Sequence, residues 1–280
     1  MNDGQFREFI ASDGYPIRFR HWAAKSVRGI LLATHGIQSH SGWYQYSSSR
    51  FAEAGFDVYF ADRRGSGLNG RQRGHAAHGL RLINDVRALR QLALAEHPPE
   101  TPVFLIGLSW GAKTAAAAAC LFPDEFQRLV LLYPGIIPRF QLSAIQRLKL
   151  NLARRLEILR KCIPIPLDDP ALFTNTSEWQ RFIADDPLAL HAVSSSLLNA
   201  GRDLDQVIFQ QSPELRLPVL LMLAGNDQLI DNQATLTLVS KLRYSQLTIR
   251  HWAGATHTLE FEPNREQIFT ELIDWLAADG

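Results

Sequence analysis

Residues 103–122 read VFLIGLSWGAKTAAAAACLF, and the fold turns on how this stretch is read. Val103, Phe104, Leu105 and Ile106 form the short run of branched and aromatic apolar residues expected of a buried strand. From Trp110 to Phe122 the chain is rich in alanine and free of proline, which suits a closely packed helix. Between the two, Gly107-Leu108-Ser109-Trp110-Gly111 has the form G-x-S-x-G. Glycines two before and two after the serine let neighbouring backbone approach a sharp turn that projects the hydroxyl above the sheet, with a helix N-terminus beneath developing negative charge. Strand, tight turn and helix together predict Ser109 as a nucleophile.

The same alternation continues on both sides. Apolar runs at Gly29–Thr34, Asp57–Ala61, Pro102–Leu108, Leu129–Tyr133, Pro218–Ala224 and Gln246–Trp252 predict strands, and Gln5–Ala11 and Tyr15–Trp22 predict an initial pair. Helices are predicted over Tyr44–Ala54, Leu80–Glu96, Trp110–Phe122, Asp231–Leu242 and Arg265–Ala277. Strands alternating with helices imply right-handed crossovers and a mostly parallel central sheet flanked by helices, an α/β class. The alternation stops between Ile136 and Pro213, where helical spacing dominates and no convincing strand is seen. The reading is a core of residues 1–135 and 214–280 with a helical insertion at 136–213. Within it Ile145, Leu148, Leu152, Leu156 and Leu159 form one apolar stripe, and residues 136–161 hold seven Lys or Arg against the single acid Glu157. Packing of the stripe on the core is the preferred reading. Peripheral membrane contact through a basic amphipathic segment is the alternative.

A serine needs a base to take its proton, and the base needs an acid to fix its tautomer. In a sheet of this kind the order after the serine is acid, then histidine, each past a strand end. Asp227 follows the apolar run Val219–Ala224 through Gly225-Asn226, and His257 follows the run ending at Trp252. Asp231 is the rival acid, but it stands where a helix N-cap is expected. For the oxyanion, the backbone N–H of Trp110 is one candidate donor. The loop from Thr34 to Tyr44 supplies Ile37 N–H as the other. His35 and His40 in that loop admit a metal reading, but no acidic cluster accompanies them. Lys113 places a cation in the first turn of the nucleophile's helix, against the macrodipole. Reaching solvent is the preferred reading for it, and answering a nearby carboxylate the alternative.

These loops resemble those of the monoacylglycerol lipase and lysophospholipase branch of the α/β-hydrolases, also grouped with the serine aminopeptidase-like hydrolases, and the resemblance runs nearly the full chain. His35-Gly36 with Ser39 to Tyr44 is similar to that branch's HGxxEHSxRY loop. Asp62 to Gly67 resembles its DxRGHGxS turn, and Asp185-Asp186-Pro187-Leu188 a recurring cap element. Gly225 to Asp231 and Gly254 to His257 resemble its acid and base loops. Ser39, Ser66 and Leu108 depart from the pattern, which has glutamate, histidine and histidine there. The resemblance implies an α/β-hydrolase fold, a cap lining an acyl site, and hydrolysis of an acyl ester of small-molecule or lipid-like kind. Amide, thioester or C–C hydrolysis and acyl transfer would use the same residues. A catalytically silent binding module is the alternative of another class, and the intact Ser109, Asp227 and His257 speak against it. Aspartate at position 109 would have indicated an epoxide hydrolase or dehalogenase.

Composition bounds the rest. The chain of 280 residues is 46% hydrophobic and 20% charged, so it can bury a core of domain size. With 29 Lys and Arg against 28 Asp and Glu it has no general field for nucleic acid. Cys120 and Cys162 form no metal-binding pattern, and two thiols suit a reducing compartment. No signal-like N-terminus and no run of about 18 apolar residues is present, so a cytoplasmic protein is expected. No metal or organic cofactor is expected, and the composition says nothing of the oligomeric state.

Overall fold

The computed structural model describes residues 4–139, 162–211, 215–241 and 246–278. Among them are ten strands. Eight form one sheet: β1 (Gln5–Ile10), β2 (Pro16–Trp22), β3 (Gly29–Thr34), β4 (Phe56–Ala61), β5 (Val103–Leu108), β6 (Arg128–Leu132), β9 (Val219–Ala224) and β10 (Leu247–Trp252). Their order is β1-β2-β4-β3-β5-β6-β9-β10. β2 runs opposite to the other seven strands, antiparallel to β1 and β4, and every other neighbouring pair in this sheet is parallel.

The parallel strands read as unbroken apolar runs because helices cover both faces. Period-two alternation then divides each strand between two cores. Leu32, Leu105 and Leu221 face one; their neighbours Leu31, Ile106 and Leu220 face the other. The helices are α1 (Gln45–Glu53), α2 (Gly79–Ala95), α3 (Gly111–Leu121), α4 (Ser177–Ala184), α5 (Ser195–Gln211), α6 (Asn232–Val239) and α7 (Arg265–Ala277). Because α3 carries alanine at 115–119, it fits tightly between β5 and β6 below and α2 and α5 alongside.

Register brings the site together. Thr34 pairs with Gly107, Leu108 with Leu132, and Ala224 with Trp252. The loops after β3, β5, β9 and β10 therefore leave the same edge of the sheet, where ligands bind in open parallel sheets.

Between residues 136 and 213 the described residues form α4 and α5, and they also form two strands where none was expected. β7 (Cys162–Pro164) pairs antiparallel with β8 (Ala192–Ser194). Each has three residues, too few to show a period, and their partners are distant in sequence, so the pairing is a tertiary effect. The apolar stripe from Ile145 to Leu159 lies outside the described residues. No helix among the described residues is long and apolar enough to cross a membrane.

Ala117 is fully buried in α3. Ala117→Leu is expected to lower stability by about 1–3 kcal/mol through overpacking, read as a lower melting midpoint; an unchanged midpoint would mean that α3 is less tightly packed.

Candidate active site

Ser109 sits at φ +50°, in the left-handed region that costs a residue with a side chain about 1–2 kcal/mol. The surroundings hold it there. Its N–H donates to Leu132 O at 3.0 Å, and its carbonyl accepts from Gly135 N–H at 2.8 Å and Ala112 N–H at 3.0 Å. The flanking glycines are required by contact: a Cβ at Gly107 would lie 2.5 Å from Ala112 Cα, and one at Gly111 would collide with the carbonyls of Thr34 and His35.

The side chains that follow β5, β9 and β10 meet here. His257 Nε2 lies 2.9 Å from Ser109 Oγ, and His257 Nδ1 lies 2.8 Å from Asp227 Oδ2. The other Asp227 oxygen accepts from Leu229 N–H at 2.8 Å and Ile230 N–H at 3.0 Å, which keeps a fully buried carboxylate solvated by the backbone. Asp231 instead accepts from Ala234 N–H at 2.9 Å as the N-cap of α6. Tyr133 and Phe173 set their rings edge-on to the imidazole, with centroids 4.8 and 5.9 Å away.

Ile37 and Trp110 line one cavity with Ser109. Gly36 passes so close to the serine that an added Cβ would lie 3.3 Å from Ser109 Cβ. The peptide joining Gly36 to Ile37 is locked: its carbonyl accepts from His35 Nδ1 at 2.8 Å and from the Arg63 guanidinium at 3.0 Å. In a trans peptide the N–H points away from the C=O, so the two bonds also aim Ile37 N–H. Arg63 further donates to Ile37 O at 2.8 Å and stacks over the Trp110 ring at 4.9 Å. Burial brings its pKa down to about 10, which leaves it a cation at neutral pH. Burial first, then the Arg63 cation, hold His35 well below the usual imidazole range. The neutral ring accepts at Nε2 from Arg63 N–H (2.8 Å) and donates from Nδ1, so both nitrogens are occupied. His40 is likewise engaged, with Gly42 N–H at Nδ1 and Asp186 at Nε2. Neither ring offers a lone pair to a metal.

For Lys113 the alternative reading holds and the preferred one does not, while the role of Arg63 was not foreseen. Lys113 does not reach solvent: it is buried, with Nζ 2.5 and 2.7 Å from the two carboxylate oxygens of Asp205 on α5. The partner is 92 positions away, beyond any local pattern. Arg63 was quoted only as part of a turn, and its grip on the Ile37 loop depends on β3 and β4 being adjacent. Asp186 ties the insertion to the same loop by accepting from His40 Nε2 at 3.0 Å and Trp43 Nε1 at 2.6 Å. Burial opposes ionisation of this carboxyl, but those bonds outweigh it and hold it below its usual range.

A mostly parallel eight-stranded sheet, with a serine on a strained turn at the edge where its strands end, is the α/β-hydrolase fold. Solved structures agree: a soluble variant of the Saccharomyces cerevisiae monoglyceride lipase, in complex with a substrate analogue, superposes with a TM-score of 0.87 at 18% identity, covering 99% of this chain and 96% of that one. Residues 25–264 match the model of the serine aminopeptidase S33 family, and the chain belongs to that family. Among characterised sequences it is similar to the monoacylglycerol lipase of Mycolicibacterium smegmatis, 25% identical over 272 residues and 96% of each chain. The human monoglyceride lipase is 24% identical over 278 residues, 96% of this chain and 89% of that one.

Asp227→Asn is expected to cut turnover by a factor on the order of 10⁴ with little loss of stability, and Asp231→Asn to leave turnover nearly intact, since asparagine caps well. Rates and melting midpoints of both variants decide between them, and the reverse pattern would exchange their roles. A pH effect is expected at Glu260, which is fully buried with one oxygen accepting from Ser47 N–H at 3.0 Å. Burial pushes its pKa from 4.5 up to about 7. A folded pKa above the unfolded one means that the native state holds the extra proton, so this contribution is full at acidic pH and fades as pH rises through 7. Glu260→Gln should therefore melt above the wild type at alkaline pH and near it at acidic pH; a constant difference would contradict the assignment.

Proposed function

We propose that this carboxylic ester hydrolase cleaves an acyl ester of a small, lipid-like substrate through Ser109, His257 and Asp227, by way of an acyl-enzyme. The observation that carries the reading is the unbroken chain from Ser109 Oγ through both ring nitrogens of His257 to Asp227, opening into a mainly apolar cavity of about 550 Å³. His257 takes the serine proton as Oγ attacks the ester carbonyl, and Asp227 stabilises the imidazolium. Ile37 and Trp110 N–H groups receive the oxyanion. His257 then protonates the departing alcohol, and water activated by the same ring hydrolyses the acyl-enzyme and restores the serine. These steps need no metal or organic cofactor.

Residues 136–213 act as a cap over the core of 1–135 and 214–280, and the cavity supports this, since Ile163, Ile165 and Leu198 from the insertion line it together with Ser109. Monoacylglycerol-like esters are the first substrates to test, because the characterised relatives are lipases of that name. The expected compartment is the cytoplasm, with any membrane contact peripheral and made by the cap.

On a panel of monoacylglycerols and simple esters, Ser109→Ala should lose turnover by a factor on the order of 10⁶ while folding normally. Wild-type turnover in that variant would reject the mechanism. Arg63→Met should lower kcat more than it changes KM, because the lost interaction aims a donor at the transition state; a change in KM alone would show that Arg63 does not act through the oxyanion.

A further inference from the structure

The Lys113–Asp205 pair lines the same cavity as Ser109. Lys113 follows the serine by four residues and lies in the first turn of α3, which begins at Gly111. Arg202, one turn before Asp205 on α5, also lines this end and donates to Asn199 Oδ1 at 3.3 Å. The rest of the wall is largely apolar, including Ile136, Ile165 and Leu198.

We infer that Lys113 and Asp205 are a specificity-determining pair, which makes the cavity favour an acyl chain bearing an oxygen substituent at their depth over a plain hydrocarbon chain of the same length. The inference rests on the ester-hydrolase reading above. Lys113 spends its donors on both Asp205 oxygens and, at 3.4 Å, on Ile136 O. Each Asp205 oxygen has lone pairs beyond the one that Lys113 engages, and the side chain, which lines the cavity, is 24% exposed. Methylene groups laid over the pair would strip that residual hydration and return no hydrogen bond. A hydroxyl at the same depth donates to Asp205, and a carboxylate there is drawn instead towards Arg202, the second cation lining this wall. A pair serving only to fasten α5 to α3 would change stability and leave this discrimination alone.

The test measures binding to Ser109→Ala protein, which holds esters without turning them over. Matched methyl esters from butanoate to dodecanoate are titrated calorimetrically as plain, ω-hydroxy and ω-carboxy chains. The substituted chain should bind about tenfold tighter, the scale of one net hydrogen bond to a charged group, with the preference peaking at one chain length; the hydroxy and carboxy arms show which oxygen group fits. Adding Lys113→Met with Asp205→Leu should abolish or invert it. Equal or tighter binding of the plain chains at every length in Ser109→Ala overturns the inference, and this comparison decides even where the further variant fails to fold. A preference of the expected kind beside a wild type that hydrolyses none of these esters would sink the hydrolase reading and leave the pair's selectivity standing.

Discussion

A single strained residue organises this molecule. Ser109 occupies a left-handed backbone conformation that only surrounding contacts can hold. To lift its hydroxyl clear of the sheet, the strand must end, the chain must reverse, and a helix must begin within three residues. Glycine at 107, 111 and 135 lets β3, β6 and α3 close around that turn. The strain is local; its support is the whole parallel sheet, whose register brings the loops of Asp227, His257 and Ile37 to the same edge.

Those loops are irregular yet buried, so their polar groups must find partners inside the protein. Asp62 accepts from Ser41 N–H and Leu68 N–H at 2.7 and 2.8 Å, joining the loop after β3 to the turn after β4. Glu262 accepts from Thr256 N–H at 2.7 Å and steadies the approach to His257. Arg63 and His35 lock the Gly36 carbonyl. A site whose donors are fixed before substrate arrives stabilises developing charge without reorganising.

The fold was legible because its signals are local and repeated. β3 matched residue for residue, and the other sheet strands matched to within one residue at either end. Each is an apolar run closed by a breaker, and the G-x-S-x-G turn sits between two of them. Ser109, Asp227 and His257 could be named because each follows a strand end, and the order of strands forces them together. What stayed hidden was contact between distant elements. Lys113 could not show its partnership with Asp205, since nothing near position 113 hints at α5. Arg63 looked like one member of a turn, although its guanidinium reaches across to the loop after β3. The β7–β8 pair was invisible because three residues carry no period. Helical spacing across 136–213 did not locate α4 or α5, and which of their side chains line the cavity beside Ser109 depends on docking.

The central claim is that Ser109 is the activated nucleophile, its hydroxyl primed by His257 and exposed to the cavity. Reaction of the wild-type protein with a fluorophosphonate, followed by mass spectrometry of its peptides, tests this most directly. The account predicts a single stoichiometric adduct on Ser109 that is lost in His257→Ala. An adduct on another residue, or none on a folded protein, would contradict it.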